Sequence, residues 1–333
     1  MKLVIWQTAF LGDLILTTPL VSSLKNLYPD SYIALISKPF GKEVFKNNPY
    51  LDELIIFDKK KQSTFSLIKQ LKKAKFDIAI SPHRSHRASY SLFLAKIPER
   101  IGFDKAGFSF LYTKKAKHTF DGTHEIDRNF RLLKFLPNFN EGKLQKYPQL
   151  FLTEEEDSFY KSFSLEKDNY IVIAPGSKWQ TKKWTEEGFK ELIKILSKDF
   201  QVVLIGGKED IRTAQDILLD IKTKNVIDLT GKTNLRQSFS IIKNAKALIS
   251  NDSAPVHMAV AFNTPVVDIY GPTTTDLGFY PYRNGIVVEI KDLYCRPCGL
   301  HGHNKCPEKH FKCMKLITPD MVINSLEKLL TRN

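Results

Sequence analysis

Ile249-Ser-Asn-Asp-Ser-Ala-Pro-Val-His-Met-Ala-Val-Ala-Phe-Asn-Thr-Pro-Val-Val-Asp-Ile-Tyr-Gly-Pro-Thr273 is the stretch that decides the fold class of this 333-residue chain. Ala247 to Ser250 is a short apolar run of the kind that forms a buried strand. Asn251, Asp252 and Ser253 can turn the chain and cap a helix from about Pro255 to Phe262. The helix is rich in alanine, and a second apolar run follows it and ends at Gly271-Pro272. Strand, turn, helix and strand in this order form one unit of a parallel sheet. An open helix start at the C-terminal end of such a strand is where α/β proteins bind anions. Asp252 and His257, five residues apart, can face one ligand there. The alternative is a capped helix with a buried histidine.

The same alternation runs through the chain. In the first half Leu3 to Trp6, Tyr32 to Ser37, Leu54 to Phe57 and Ile78 to Ser81 read as strands. Helices are expected at about Pro19–Leu27, Gly41–Asn47 and Thr64–Lys73, with another starting from Ser85. The region from Gly102 to Tyr147 is less regular. An acidic run, Glu154 to Asp157, then precedes a new strand at Tyr170 to Ala174. Strands follow at Gln201–Gly206, Val226–Asp228, Ala247–Ser250, Pro265–Tyr270 and Ile286–Ile290. The expected architecture is α/β with two Rossmann-like parallel-sheet domains, residues 1–160 and 161–333, and a ligand cleft between them. A last helix after Thr318-Pro319-Asp320 is a candidate to pack back onto the first domain.

Hydrophobic content of 42% and charged content of 26% are those of a soluble globular protein. No apolar run reaches membrane-spanning length and the N-terminus reads as a first strand, so a cytoplasmic protein is expected. The net charge is +14, and residues 1–150 hold 25 Lys/Arg against 13 Asp/Glu. That excess points to an anionic partner on the first half, unless lysines such as Lys59 to Lys61 and Lys72-Lys73 only decorate the surface. Those clusters lack interleaved aromatics, which argues against nucleic acid. Cys295, Cys298, Cys306 and Cys313 form a C-x2-C-x7-C-x6-C segment at 295–313. It fits a structural zinc, disulfides or a reduced loop. No metal is assigned to the chemistry.

Each half opens with a distinctive loop. Gln7-Thr8-Ala9-Phe10-Leu11-Gly12-Asp13 follows the first strand. Gly12 lets the backbone approach a ligand, and Asp13 is a helix cap or a carboxylate placed to accept a proton. Pro175-Gly-Ser177-Lys178-Trp-Gln-Thr-Lys182-Lys183-Trp184 sets small and hydroxyl residues beside three lysines before a helix, a combination suited to a diphosphate. Gly206-Gly207-Lys208-Glu209 has the same character, with Glu209 a cap or a ligand of ribose hydroxyls. Neither G-x-G-x-x-G nor a P-loop is present.

Taken in order, these loops resemble the lipopolysaccharide heptosyltransferases of glycosyltransferase family 9. The matching pieces are Leu11-Gly12-Asp13 with Thr18-Pro19, Pro175-Gly176-Ser177 with Lys182-Lys183-Trp184, and Gly206-Gly207. Leu229-Thr230-Gly231-Lys232-Thr233, Asn251-Asp252-Ser253 with His257, Tyr270-Gly271-Pro272-Thr273 and the cysteine tail complete the set. Ala254 stands where the family usually has glycine. The resemblance implies a GT-B architecture and inverting transfer of heptose from ADP-heptose to the Kdo/heptose inner core of lipopolysaccharide. It implies a donor site formed on the second domain by Ser177, Lys178, Lys182, Glu209, Thr233, Asp252, Ser253, Ala254 and His257, with Gly12 contributed from the first. Asp13 is the implied catalytic base, with no cofactor and no metal. The basic first half gains a partner, an anionic lipid A/Kdo acceptor at the inner face of the inner membrane. Arg84, Ser85 and Arg87 are expected to bind that acceptor, and Lys59 to Lys61 and Lys72 to Lys75 the peripheral membrane surface. The alternatives are a relative using another nucleotide sugar or acceptor, and a non-catalytic nucleotide- or polyanion-binding protein.

Overall fold

The computed structural model describes residues 1–332. The chain divides into two compact units, Met1–Phe151 and Leu152 onward. In the first, β1 (Lys2–Trp6), β2 (Tyr32–Ser37), β3 (Glu53–Ile56), β4 (Ile78–Ser81), β5 (Glu99–Phe103) and β6 (Lys114–Ala116) form one sheet in the order β3-β2-β1-β4-β5-β6. All neighbouring strands are parallel. Both faces of β1 and β4 are buried, as their unbroken apolar runs require of a sheet covered by helices on both sides. One face packs Val4, Trp6, Ile36 and Phe57 against Leu67, Leu71 and Leu92 of the crossover helices.

The second unit repeats the plan. Strands β7 (Tyr170–Ala174), β8 (Gln201–Leu204), β9 (Val226–Asp228), β10 (Ala247–Asn251), β11 (Val266–Tyr270) and β12 (Gly285–Glu289) pair in parallel in the order β12-β11-β10-β7-β8-β9. Counted from its own first strand, this is again the doubly wound order of a Rossmann sheet. Such a sheet reverses direction beside its first strand, here between β1 and β4 and between β7 and β10. The loops leaving those strands splay apart there and leave room for a ligand.

Two expectations are corrected. The region from Gly102 to Tyr147 contains the end of β5, all of β6 and the helix Glu125–Leu133. Their pattern is masked because β6 reads Lys-Lys-Ala and the helix buries Glu125 and Arg128 among its apolar residues. The C-terminal helix Pro319–Leu330 belongs to the second unit, where Val322, Leu326 and Leu329 join the core beneath β11 and β12. Among the described residues, no helix is long and apolar enough to cross a membrane.

Candidate functional site

At the β1/β4 switch point the chain passes from Trp6 through Gln7 to Phe10 into the five-residue helix Leu11–Ile15. Asp13 is the third residue of that helix rather than its cap, and its Oδ2 accepts from the Phe10 amide at 3.1 Å. Gly12 lies inside the same turn. The loops after β1 and β4 are tied together by a 3.1 Å contact of Thr8 Oγ1 with His83 Nδ1. Desolvation raises the pKa of the half-buried Asp13 carboxyl, opposed by the Phe10 amide and by the charges of Lys38 and Arg84. His83 is held neutral, its pKa lowered to about 4 chiefly by burial and then by Lys38.

A second carboxyl, absent from the residues read from the sequence, shares this neighbourhood. Glu125 is buried and bonded to Arg128 Nη1 at 2.6 Å, while Arg128 Nη2 donates to the Thr123 carbonyl at 2.7 Å. The guanidinium groups of Arg128 and Arg84 both lie over the Phe120 ring, at 5.0 and 5.4 Å. Burial, and then the charge of Asp13, push Glu125 up to about 7 against the pull of Arg128 and Arg84. Only its position three residues before Arg128, at a helix start, could have marked it in the sequence.

The expected acceptor residues separate. Arg84 stands among these charged groups. Ser85 accepts from the Ala88 amide at 3.2 Å and is occupied as the cap of the helix His86–Leu94. Arg87 is half-buried, with Nε unpartnered.

At the β7/β10 switch point Asn251 joins the two loops: its Nδ2 donates to the Pro175 carbonyl at 2.7 Å and its Oδ1 accepts from the Trp184 amide at 2.9 Å. Beside it Lys182 Nζ and Asp252 Oδ2 form an ion pair at 2.5 Å, and Thr273 Oγ1 donates to the same oxygen at 2.7 Å. Asp252 therefore anchors the lysine and does not cap the following helix. Ser253 sits at the cap position of Ala254–Phe262 without a side-chain cap bond and lies 3.5 Å from the Gly176 carbonyl. Ser177 Oγ accepts from the Trp179 amide at 3.4 Å. His257 is buried and neutral, its pKa lowered to about 4 by burial, within electrostatic reach of Asp252 and Lys182.

Lys178 lies over the Trp179 ring at 5.4 Å, and Trp184 is buried against Phe189 at 5.0 Å. Glu209 is exposed, and the capping role read for it belongs to Asp210, whose Oδ2 accepts from the Gly207 amide at 3.0 Å. A Cβ on Gly176 would come within 2.3 Å of Asp210 Oδ2, so the two loops meet only through glycine. Thr233 bonds Ser238 at 2.9 Å, and Gly231, at φ +72°, donates its amide to the Gly206 carbonyl at 3.0 Å.

The cysteine segment braces these loops. The Cys298 amide donates to the Pro272 carbonyl at 2.8 Å, Arg296 to the Thr273 carbonyl at 2.6 Å, and the His303 amide to Thr181 Oγ1 at 2.7 Å. His301 stacks on Trp179 at 6.0 Å. All four thiols are free, and among the described residues no three side chains of metal-ligating type are grouped to hold a metal.

Residues 64–311 match the model of glycosyltransferase family 9 (heptosyltransferase). The chain belongs to glycosyltransferase family 9. Its two doubly wound sheets are those of a GT-B glycosyltransferase. It is similar to lipopolysaccharide heptosyltransferase 3 of Escherichia coli strain K12, 29% identical with 96% of this chain and 95% of that one covered. Among solved structures, the family 9 glycosyltransferase of Veillonella parvula is 26% identical with a TM-score of 0.83, covering all of this chain and 97% of that one. ADP-heptose lps heptosyltransferase II of E. coli, at 24% identity, shares the fold with a TM-score of 0.80 over all of this chain and 99% of its own.

Proposed function

We propose that this glycosyltransferase moves a heptose from ADP-heptose onto the inner core of lipopolysaccharide, with inversion at the anomeric carbon. The observation that carries this reading is a pair of differently equipped switch points in one family 9 chain. One presents a desolvated carboxylate, the other a lysine beside an uncapped helix start. The second unit binds the donor. The Ala254 amide at the start of Ala254–Phe262 and the ammonium of Lys182 meet the diphosphate, and Asp252 keeps that lysine in place. Ser177, Lys178 and Ser253 line the approach, and His257 offers a neutral ring to the donor.

The first unit binds the acceptor, with Arg84 matching its carboxylates and phosphates. The acceptor hydroxyl oxygen attacks the anomeric carbon, and its bond to the diphosphate oxygen breaks on the opposite face. ADP leaves with that electron pair, and the hydroxyl proton passes to Asp13. A carboxyl whose pKa is raised is a better proton acceptor, which is the use of Asp13's desolvation. Lys182 and the Ala254 amide stabilise the charge that develops on ADP. The enzyme works at the cytoplasmic face of the inner membrane, where its acceptor is anchored.

The deciding measurement is transfer of heptose from ADP-heptose to Kdo2-lipid A. Asp13→Asn is expected to lower kcat by roughly a hundredfold or more, with donor affinity retained. Absence of transfer with any nucleotide heptose would sink the reading, and an active Asp13→Asn enzyme would remove Asp13 as the base.

A further inference from the structure

One face of the first unit exposes aromatic rings that the core does not take up. Along the helix His86–Leu94, residues His86, Tyr90 and Phe93 stand at i, i+4 and i+7 and share one side, Tyr90 packing against the core and Phe93 standing exposed. The loop after β5 extends this stripe. The Phe108 ring is 6.0 Å from His86 and 6.0 Å from Phe110. Phe110 is 74% exposed, Phe108 50% and Phe93 46%. The segment that carries this face is basic: from Arg84 to Lys117 there are eight Lys/Arg against two Asp/Glu, and one of the two acids, Glu99, is paired with Lys114.

The loop is built rigidly to this end. The Gly107 amide donates to the Arg84 carbonyl at 3.1 Å, and Ser89 Oγ donates to the Gly107 carbonyl at 2.5 Å. Glycine is required there, because a Cβ would sit 2.7 Å from that of His86. Phe108 is left-handed, at φ 55° and ψ 40°, a conformation that suits Gly or Asn and disfavours a bulky side chain. Folding stability alone would place a small polar residue at this exposed position.

We propose that this face docks the enzyme on an anionic lipid bilayer, with Phe108 and Phe110 entering the headgroup region and the surrounding lysines meeting lipid phosphates. Aromatic rings framed by cations are the chemistry of interfacial anchoring. A second copy of the chain is disfavoured as occupant, because two such faces carry the same charge. The inference rests on the heptosyltransferase reading, in which the acceptor is lipid-borne. It deepens that reading at Arg84, whose carbonyl ties the loop and whose charge acts on Asp13.

The test is co-sedimentation with phosphatidylglycerol/phosphatidylethanolamine vesicles and with phosphatidylcholine vesicles, without donor or acceptor. The wild type is expected to pellet with the anionic vesicles only. Phe108→Asn combined with Phe110→Ser should weaken that binding about tenfold or more. The variant should melt no lower than wild type, since Asn tolerates the left-handed backbone, and should glycosylate a soluble delipidated acceptor at the wild-type rate. Wild type that stays in the supernatant, or a double variant that pellets equally, overturns the proposal. So does a wild-type dimer in sedimentation that the substitutions dissolve. Transfer is scored separately: vesicle binding without heptose transfer keeps the surface and discards the heptosyltransferase reading, and transfer without vesicle binding does the reverse.

Discussion

Burial raises the pKa of both Asp13 and Glu125, and the Asp13 charge raises that of Glu125 further; Lys38 and Arg84 face Asp13, and Arg128 and Arg84 face Glu125. Only an ionised Asp13 accepts the acceptor proton, so the acid limb of kcat/KM reports its titration. Removing the Asp13 charge makes Glu125 easier to ionise. Asp13→Asn is therefore expected to move the Glu125 titration below about 7, read from its side-chain carboxyl in an NMR pH titration. A Glu125 titration that does not move would show that the two carboxyls do not interact. Asp268 makes a separate case. It is fully buried in β11 with both carboxyl oxygens unpartnered, and burial raises its pKa well above 3.8. The folded state therefore holds this proton more tightly than the unfolded state. The contribution to stability is greatest at low pH and falls as pH rises above 3.8 toward the folded pKa. Asp268→Val should remove that slope and raise stability at neutral pH by about 1–3 kcal/mol, read from urea unfolding at several pH values. Asp252 stands out in the sequence because it follows a strand directly, and Asp13 because it closes the short polar-to-glycine run after the first strand. Glu125 and Asp268 do not, since an ionisable residue inside an apolar pattern looks the same whether it meets solvent or the core.

At the scale of elements, the strand-turn-helix from Ala247 to Tyr270 forms as its pattern requires, with β10 and β11 parallel and buried. The polar turn between them behaves differently from its local reading. Asn251 and Asp252 turn away from the helix start, toward the Pro175–Trp184 loop that β7 brings alongside. Asp210 likewise takes the role read for Glu209, because Gly176 leaves space for its carboxylate. That packing is testable. Gly176→Ala must displace Asp210 from the Gly207 amide, and is expected to cost about 1–3 kcal/mol in chemical denaturation and to raise KM for the donor more than it lowers kcat. Unchanged stability would mean that the loops separate without loss. The β5–β6 region escaped the sequence reading for a related reason: a three-residue edge strand has almost no pattern of its own and is defined by its partner.

For the whole molecule, the net charge of +14 and its concentration in the first 150 residues bear on how an anionic acceptor is captured. Surface attraction of this kind is screened over about 10 Å at 0.1 M salt and about 3 Å at 1 M. Transfer to lipid-borne acceptor is therefore expected to fall steeply as salt is raised from about 50 mM to about 500 mM, mainly through KM. Transfer to an uncharged acceptor analogue should change little, and equal salt dependence for both would assign the basic excess to solubility alone. The order of strands and helices outside Gly102–Tyr147, the two-unit plan and the loops that leave β1 and β7 were legible in the chain itself. Those features depend on periodicity and on residues adjacent in sequence, which short-range sterics and burial suffice to set. Only the tertiary structure decided that Lys182 is paired with Asp252, that Asp210 replaces Glu209, that Glu125 stands near Asp13 and that an aromatic face surrounds Phe108. Each of these joins segments that loop closure brings together from distant parts of the chain, and the energy of such a contact depends on burial and distance that no local pattern encodes.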